Sequence, residues 1–325
     1  MKNSDFPMGV YIHIPFCLRK CGYCDFFSVT KADNQLLNEY TAGIVAELIF
    51  KAGRYRGRKI GSIYLGGGTP SLLSPLAVGR IIETIHEHYA VFDPEVSLEV
   101  NPATVDLTRL RELKEIGINR ISVGVQSFKA RDLKVLGRIH GPGSVDDTLN
   151  AIRQAGFVNF NIDLIYGIPG QTQEAWRENL LAAVGYRPSH LSLYLLQLGD
   201  ATPMARQVDK GELSLLDEET EARMYYEAID ILAQNGYRHY EISNFALPGF
   251  TAKHNLRYWH SDDYLSLGVS STGWISPVRY QNPADLNLYY QSIKNGETFP
   301  QKEELSQQRI IQDYLMMGLR LKEGI

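Results

Sequence analysis

Apolar residues along the chain recur with two periods, one suited to strands and one to helices. Gly9–Ile14 (Gly-Val-Tyr-Ile-His-Ile) is rich in β-branched and aromatic residues and stops at Pro15. Similar runs lie at Ile60–Leu65, Ser97–Val100, Arg120–Val125, Asn161–Tyr166 and His190–Leu196. Between them, Gln35–Ala52, Pro75–Tyr89, Leu107–Glu115, Ser144–Gln154 and Gln173–Val184 carry apolar residues at helical spacing. Strands alternating with helices read as βαβ units in an α/β protein with a parallel sheet. Six such strands predict an open, partial (β/α)6 barrel, two short of a complete one. The rhythm breaks after residue 215. Glu218–Gln234 predicts a helix, Tyr237–Phe245 follows it as a separate stretch, and Phe250–Tyr280 is dense in aromatic residues and glycine. A last helix is predicted over Glu304–Leu321. The expected organisation is a barrel at 8–215, with a mixed α+β segment at 216–325 covering its open side. The chain stops at Lys322-Glu323-Gly324-Ile325, directly behind that helix, so a truncated C-terminus is expected.

Composition changes this picture little, except at cysteine. With 44% hydrophobic and 22% charged residues in 325, the chain has the make-up of a soluble globular protein. The net charge of −4 offers no global field for nucleic acid. No run of about 20 apolar residues predicts a membrane span. Met1-Lys2-Asn3-Ser4-Asp5 lacks a signal-peptide pattern, so the cytoplasm is the expected compartment. All 3 cysteines fall between residues 17 and 24. An odd, clustered set is not a disulfide framework.

Cys17-Leu-Arg-Lys-Cys21-Gly-Tyr-Cys24 follows the first predicted strand. Three thiolates at i, i+4 and i+7 in a loop can hold three irons of a cubane cluster and leave the fourth iron to a non-protein ligand. A structural zinc site would want four closed ligands. His13 is a conceivable fourth, but its place inside a strand favours a satisfied core histidine. Gly66–Thr69, Glu99, Gln126 and Asp163 fall with the cysteine loop at the carboxyl ends of predicted strands, the barrel face on which sites are built. Glycines there let the backbone approach a ligand, although a plain turn would use them too. Strand-end hydrogen bonding or a helix cap is the plainer alternative for Glu99, Gln126 and Asp163. A solvated helix-end cation is the plainer one for Arg138.

The C-x-x-x-C-x-x-C spacing resembles the radical S-adenosylmethionine (SAM) superfamily. So do Tyr11–Phe16 (Tyr-Ile-His-Ile-Pro-Phe), Gly66–Ser71, Ser122–Phe128, Asp163–Thr172 and His254–Trp259 (His-Asn-Leu-Arg-Tyr-Trp). Together they resemble the branch that contains the oxygen-independent coproporphyrinogen III oxidases and the HemW-type heme chaperones. The resemblance spans residues 9–325. It implies a 4Fe–4S cluster on Cys17, Cys21 and Cys24, with SAM chelating the open iron through its amino and carboxylate groups. It also implies SAM contacts from Tyr11, Tyr23, Gly67, Gly68, Thr69, Glu99, Gln126, Arg138, Asp163 and Gln197. In this branch an electron from the cluster enters the sulfonium of SAM, giving methionine and a 5′-deoxyadenosyl radical.

Phe26 marks the choice within the branch. The oxidases carry a further cysteine there, two residues after the third. Its absence, with the His254–Trp259 motif associated with heme, resembles the chaperones. His254 is the candidate axial ligand, a usual role for histidine; an aromatic packing corner is the alternative, and His239 and His260 are nearby competitors. One departure stands against this. Gly268-Val-Ser-Ser-Thr-Gly-Trp274 replaces a glycine-rich family segment, which brings the expected substrate pocket into question and admits a paralogue acting on another tetrapyrrole. Two functions therefore fit. One is a heme-binding chaperone with a heme-accepting apoprotein as partner. The other is a radical enzyme, a coproporphyrinogen III dehydrogenase or a related tetrapyrrole-modifying enzyme. Either implies SAM, a tetrapyrrole and an electron donor as partners.

Overall fold

A computed structural model of the chain describes residues 7–55, 57–297 and 301–325, so the start read above, Met1–Asp5, lies outside the described residues. Six strands form the parallel heart: β1 (Met8–Ile14), β2 (Lys59–Gly67), β3 (Ala90–Val100), β4 (Arg120–Gln126), β5 (Phe160–Tyr166) and β6 (His190–Leu195). They pair in sequence order, each parallel to the next. The connections are helical: α1 (Asn34–Tyr55), α2 (Pro75–His88), α3 (Leu107–Glu115), α4 (Ala130–Val135), α5 (Pro142–Gln154) and α6 (Gln173–Gly185). Among the described residues β6 does not return to β1, and the result is the open (β/α)6 barrel that the periodicity predicts.

The local causes can be read off the chain. Ser74, Asp106 and Thr172 precede α2, α3 and α6, and the side chain of each accepts a hydrogen bond from the backbone N–H three residues on. Such caps satisfy donors that a helix start leaves open. Along β4, Ile121, Val123 and Val125 are fully buried, whereas the alternate residues Arg120, Ser122, Gly124 and Gln126 line the barrel interior. The period of two thus separates an apolar layer, in the main core, from a polar lumen.

After β6 come α7 (Pro203–Asp209) and α8 (Glu218–Gln234), and then the chain returns to the same sheet at both edges. Behind α8 lies a tight pair, β7 (Arg238–Glu241) and β8 (Asn244–Ala246), with β8 antiparallel to β6. The aromatic region holds α9 (Lys253–Trp259), β9 (Tyr264–Leu267), β10 (Thr272–Ile275) and β11 (Val278–Gln281). β9 lies parallel to β1 on the side away from β2, a seventh parallel strand. α10 (Leu286–Lys294) and β12 (Gln301–Glu304) follow. The final helix, α11 (Gln307–Gly318), begins later than expected, because Gln301–Glu304 pairs with β11 and Ser306 caps the helix. The full order is β12-β11-β10-β9-β1-β2-β3-β4-β5-β6-β8-β7.

α9 closes the lumen from below. Its first N–H groups, from Lys253 and His254, donate to the two oxygens of Glu95 on β3 at 3.1 and 3.0 Å, an anionic cap on a helix start. Arg257 Nε donates to Ser62 Oγ on β2 at 2.8 Å, and its Nη1 donates to the Pro7 carbonyl. A Cβ at Gly61 would lie 2.5 Å from Arg257 Nη2 and 2.9 Å from Pro7 Cβ, so a side chain here would displace the guanidinium from this arrangement.

Candidate functional site

A cavity of about 490 Å³ opens at the carboxyl ends of β2–β6 and runs down the lumen to Ala252 and Asn255 at its floor. The size suits a small-molecule ligand. Cys17, Cys21 and Cys24 stand at its mouth, all free thiols and all partly buried. Arg138 Nη1 lies 3.6 Å from Cys21 Sγ, and Thr69 Oγ1 lies 3.8 Å from Cys17 Sγ, so cationic and hydroxyl donors already face the sulfurs. Burial pushes the Cys17 and Cys24 thiols up, with the Thr69 contact pulling Cys17 the other way. Among the described residues, no three His, Cys, Asp or Glu side chains gather tightly enough for a single metal ion. A cubane makes no such demand, because each thiolate takes its own iron. The donor set fits an iron–sulfur cluster.

The wall beside the cysteines is built around Gly66-Gly67-Gly68. Gly67 has φ +111°, and a Cβ there would lie 2.4 Å from the His13 ring; at Gly68 it would meet the Phe16 and Ile14 carbonyls within 2.9 Å. These glycines let the end of β2 close against β1 and the cysteine loop. The Gly67 N–H donates to Glu99 Oε2 at 3.0 Å, and Tyr64 donates to Oε1 at 2.7 Å. Burial and the nearby Asp163 charge hold the Glu99 carboxyl at about 7, against the pull of those two bonds. Burial also raises Asp163, although Asn161 (2.7 Å) and Ser122 (3.2 Å) donate to it. Gln126 ends β4 at φ +67°, beside a register shift against β5. Arg138 is tied to Asn101 Oδ1 (2.5 Å) and the Gly124 carbonyl (2.9 Å). The cavity thus holds carboxylates that can accept from an amino group or from ribose hydroxyls, amide and hydroxyl groups beside them, and a guanidinium for a carboxylate.

Comparison with known proteins agrees with this geometry. The radical SAM superfamily profile matches residues 11–182. The heme chaperone HemW of Lactococcus lactis is 37% identical over 320 residues, covering 98% of this chain and 83% of the relative. HemW of Synechocystis is 36% identical, covering 98% and 79%. The chain belongs to the HemW-type branch of the radical SAM superfamily. It carries that superfamily's 4Fe–4S cluster and SAM. Among solved structures, coproporphyrinogen III oxidase (HemN) from Escherichia coli, a radical SAM enzyme, superposes with a TM-score of 0.86 at 26% identity, covering 98% of this chain and 76% of that one.

In this HemW-type chain the cavity gathers Cys17, Cys21, Tyr23, Cys24, Gly67, Gly68, Thr69, Glu99, Gln126, Arg138, Asp163 and Gln197. Two of the site residues read from the sequence stand apart from it. The Tyr11 hydroxyl bonds to His13 Nδ1 at 2.9 Å, and its ring packs on Tyr64. His254 is buried beneath the floor, its Nδ1 on Ser62 Oγ (3.0 Å) and its Nε2 on the Tyr258 hydroxyl (2.9 Å). Burial, with the Arg257 charge, lowers its pKa to about 3. With both nitrogens engaged, His254 presents neither to a heme iron in this arrangement; it is the packing corner, and its neighbour Asn255 is the motif residue that reaches the cavity.

The Gly268–Trp274 departure leaves the cavity untouched, because none of those residues lines it. Gly268 N donates to Glu47 Oε2 (2.9 Å) and Val269 N to the Tyr40 hydroxyl (3.0 Å), which places the segment behind β1 against α1. Sequence reasoning missed Tyr64, Asn101, Arg120, Ser122, Asn161 and Ser192, all of which line the cavity. A signal existed: polar residues at alternate positions in apolar strands, as in Arg120-Ile-Ser122 and Asn161-Ile-Asp163.

Proposed function

We propose that this chain is a HemW-type heme chaperone, which binds heme and passes it to an apoprotein. The observation that carries the reading is the match to HemW proteins along nearly the whole chain, through the barrel and the segment after it. In this proposal residues 8–215 form the unit that holds cluster and SAM, and residues 216–325 flank and floor it. Cys17, Cys21 and Cys24 ligate the cluster. Glu99 and the Gly67–Thr69 turn receive the SAM amino group, Arg138 its carboxylate, Asp163 and Gln126 its ribose, and Tyr23 and Gln197 border it. When bound, the cluster supplies an electron to the sulfonium of SAM, and a one-electron donor protein is the implied partner. Three free thiols meant for a cluster suit the reducing cytoplasm.

The likeness to HemN favours one second reading, oxidation of coproporphyrinogen III. Phe26 argues against it, because this ring, 61% exposed at the cavity mouth, stands where the oxidases resembled by the sequence carry a further cysteine. The test uses the anaerobically reconstituted chain. It should bind heme near stoichiometrically, yield it to an apoprotein, and leave coproporphyrinogen III unchanged. Formation of protoporphyrinogen IX would overturn the chaperone reading.

A further inference from the structure

We propose that Tyr64 is the positioning residue that presents Glu99 to the amino group of SAM; the proposal rests on the reading of Glu99 given above. Glu99 stands on the cavity wall with one donor on each oxygen, Tyr64 on Oε1 at 2.7 Å and the Gly67 N–H on Oε2 at 3.0 Å. A carboxylate has about four lone-pair sites, so two bonds fix its plane and leave acceptor capacity toward a ligand.

The Tyr64 ring is itself held. His254 stacks against it at 5.2 Å and 24°, and Tyr11 packs on it at 6.2 Å and 27°. His254 is anchored in turn by Ser62 and Tyr258. Gly66 lies beside this hydrogen bond. A Cβ there would fall 2.6 Å from Tyr64 Cε1 and 2.9 Å from Glu99 Oε1, so any side chain would drive donor and acceptor apart. A partly buried carboxylate is a costly way merely to fill space. The floor helix thereby reaches Glu99 through His254 and Tyr64, in addition to lining the cavity with Asn255.

The test is a double-mutant cycle on the full chain, reconstituted anaerobically. SAM is titrated against the EPR spectrum of the reduced cluster, with iron content as the control. Tyr64→Phe keeps the ring and removes the donor. It should weaken SAM binding about tenfold, the loss of one hydrogen bond to a charged group, at unchanged iron content. Glu99→Gln should weaken binding at least as much. In a Glu99→Ala background, which leaves Tyr64 no side-chain acceptor to position, adding Tyr64→Phe should change affinity by less than about twofold, since residues acting as one unit are not additive. A purely structural tyrosine would give its tenfold loss in both backgrounds, and that result overturns the proposal, as does parental affinity in Tyr64→Phe alone. Parental affinity in Glu99→Gln overturns the Glu99 reading itself, and the proposal with it. Gly66→Ala wedges the same pair apart without altering either partner and must reproduce the loss, including where Tyr64→Phe fails to retain its cluster.

Discussion

Glu99 faces the lumen from β3, with Asp163 of β5 as its like-charged neighbour and Tyr64 and Gly67 on its oxygens. Burial first, and Asp163 in addition, move its carboxyl from an ordinary 4.5 to about 7. A folded-state value above the unfolded one means that the folded protein holds this proton longer than the unfolded chain does. The stability attached to it is therefore present below about pH 4.5 and is lost as pH rises through about 7. Glu99→Gln removes the penalty. In the cluster-free protein this variant should be more stable than the parent by on the order of 2–3 kcal/mol at pH 8 and alike near pH 4.5. A difference in Tm that ignores pH would show that Glu99 titrates normally. An iron-bound amine of SAM would donate its N–H to the ionised carboxylate, so SAM affinity should rise from pH 6 to 8 as Glu99 loses its proton. Cys17, Cys21 and Cys24 have a simpler fate. Each single replacement by Ala should take cluster content from about four irons and four sulfides per chain to near none. Uptake of one zinc without iron by the parent would sink the cluster assignment.

α3 and α8 have the bounds that their periodicity predicts, Leu107–Glu115 and Glu218–Gln234, because capping aspartates and an amphipathic pattern act together there. The six barrel strands were legible for a related reason: their buried faces are unbroken runs such as Ile121, Val123 and Val125. β7, β8 and β10–β12 were not, because strands of three or four residues carry too few positions to show a period of two. β9 was hidden differently, since what makes Tyr264–Leu267 a parallel strand is its register on β1, some 250 residues earlier. The cysteine loop and the glycine turn were legible as chemistry. The role of α9 was not, because the partner of His254 Nδ1 is Ser62, distant in sequence, and only Nε2 finds a local partner in Tyr258. His254→Ala removes a buried ring and two hydrogen bonds, and should cost roughly 2–4 kcal/mol. It should leave the heme absorption spectrum as in the parent. A changed spin state of bound heme would show that α9 swings to offer His254 to the iron.

The C-terminal segment ties the two edges of the sheet together. β12 ends at one edge, α11 crosses toward α9, and Leu321 then bridges Glu241 of β7, at the other edge. Along this path the Ile242 N–H donates to the Arg320 carbonyl and the Lys322 N–H to the Tyr240 carbonyl, at 3.1 and 3.0 Å. The Arg320 guanidinium lies 4.4 Å over the Trp259 ring of α9. An open barrel has two free edges, and here one covalent strap spans them beneath the lumen. Since β9 is hydrogen-bonded to β1, and β8 to β6, residues on both sides of position 215 belong to one continuous sheet. Unfolding the later segment alone would strip β1 and β6 of their outer partners and open the lumen to water. Denaturant unfolding of the cluster-free chain should therefore be a single transition. Leu321→Ala, at a buried strap position, should lower its midpoint by roughly 2–4 kcal/mol of stability with the slope unchanged. An early, separate transition in that variant, with SAM binding retained beyond it, would mean that the barrel stands without its strap. The floor of the cavity would then belong to a unit that can leave, and α9 would be free to move with it.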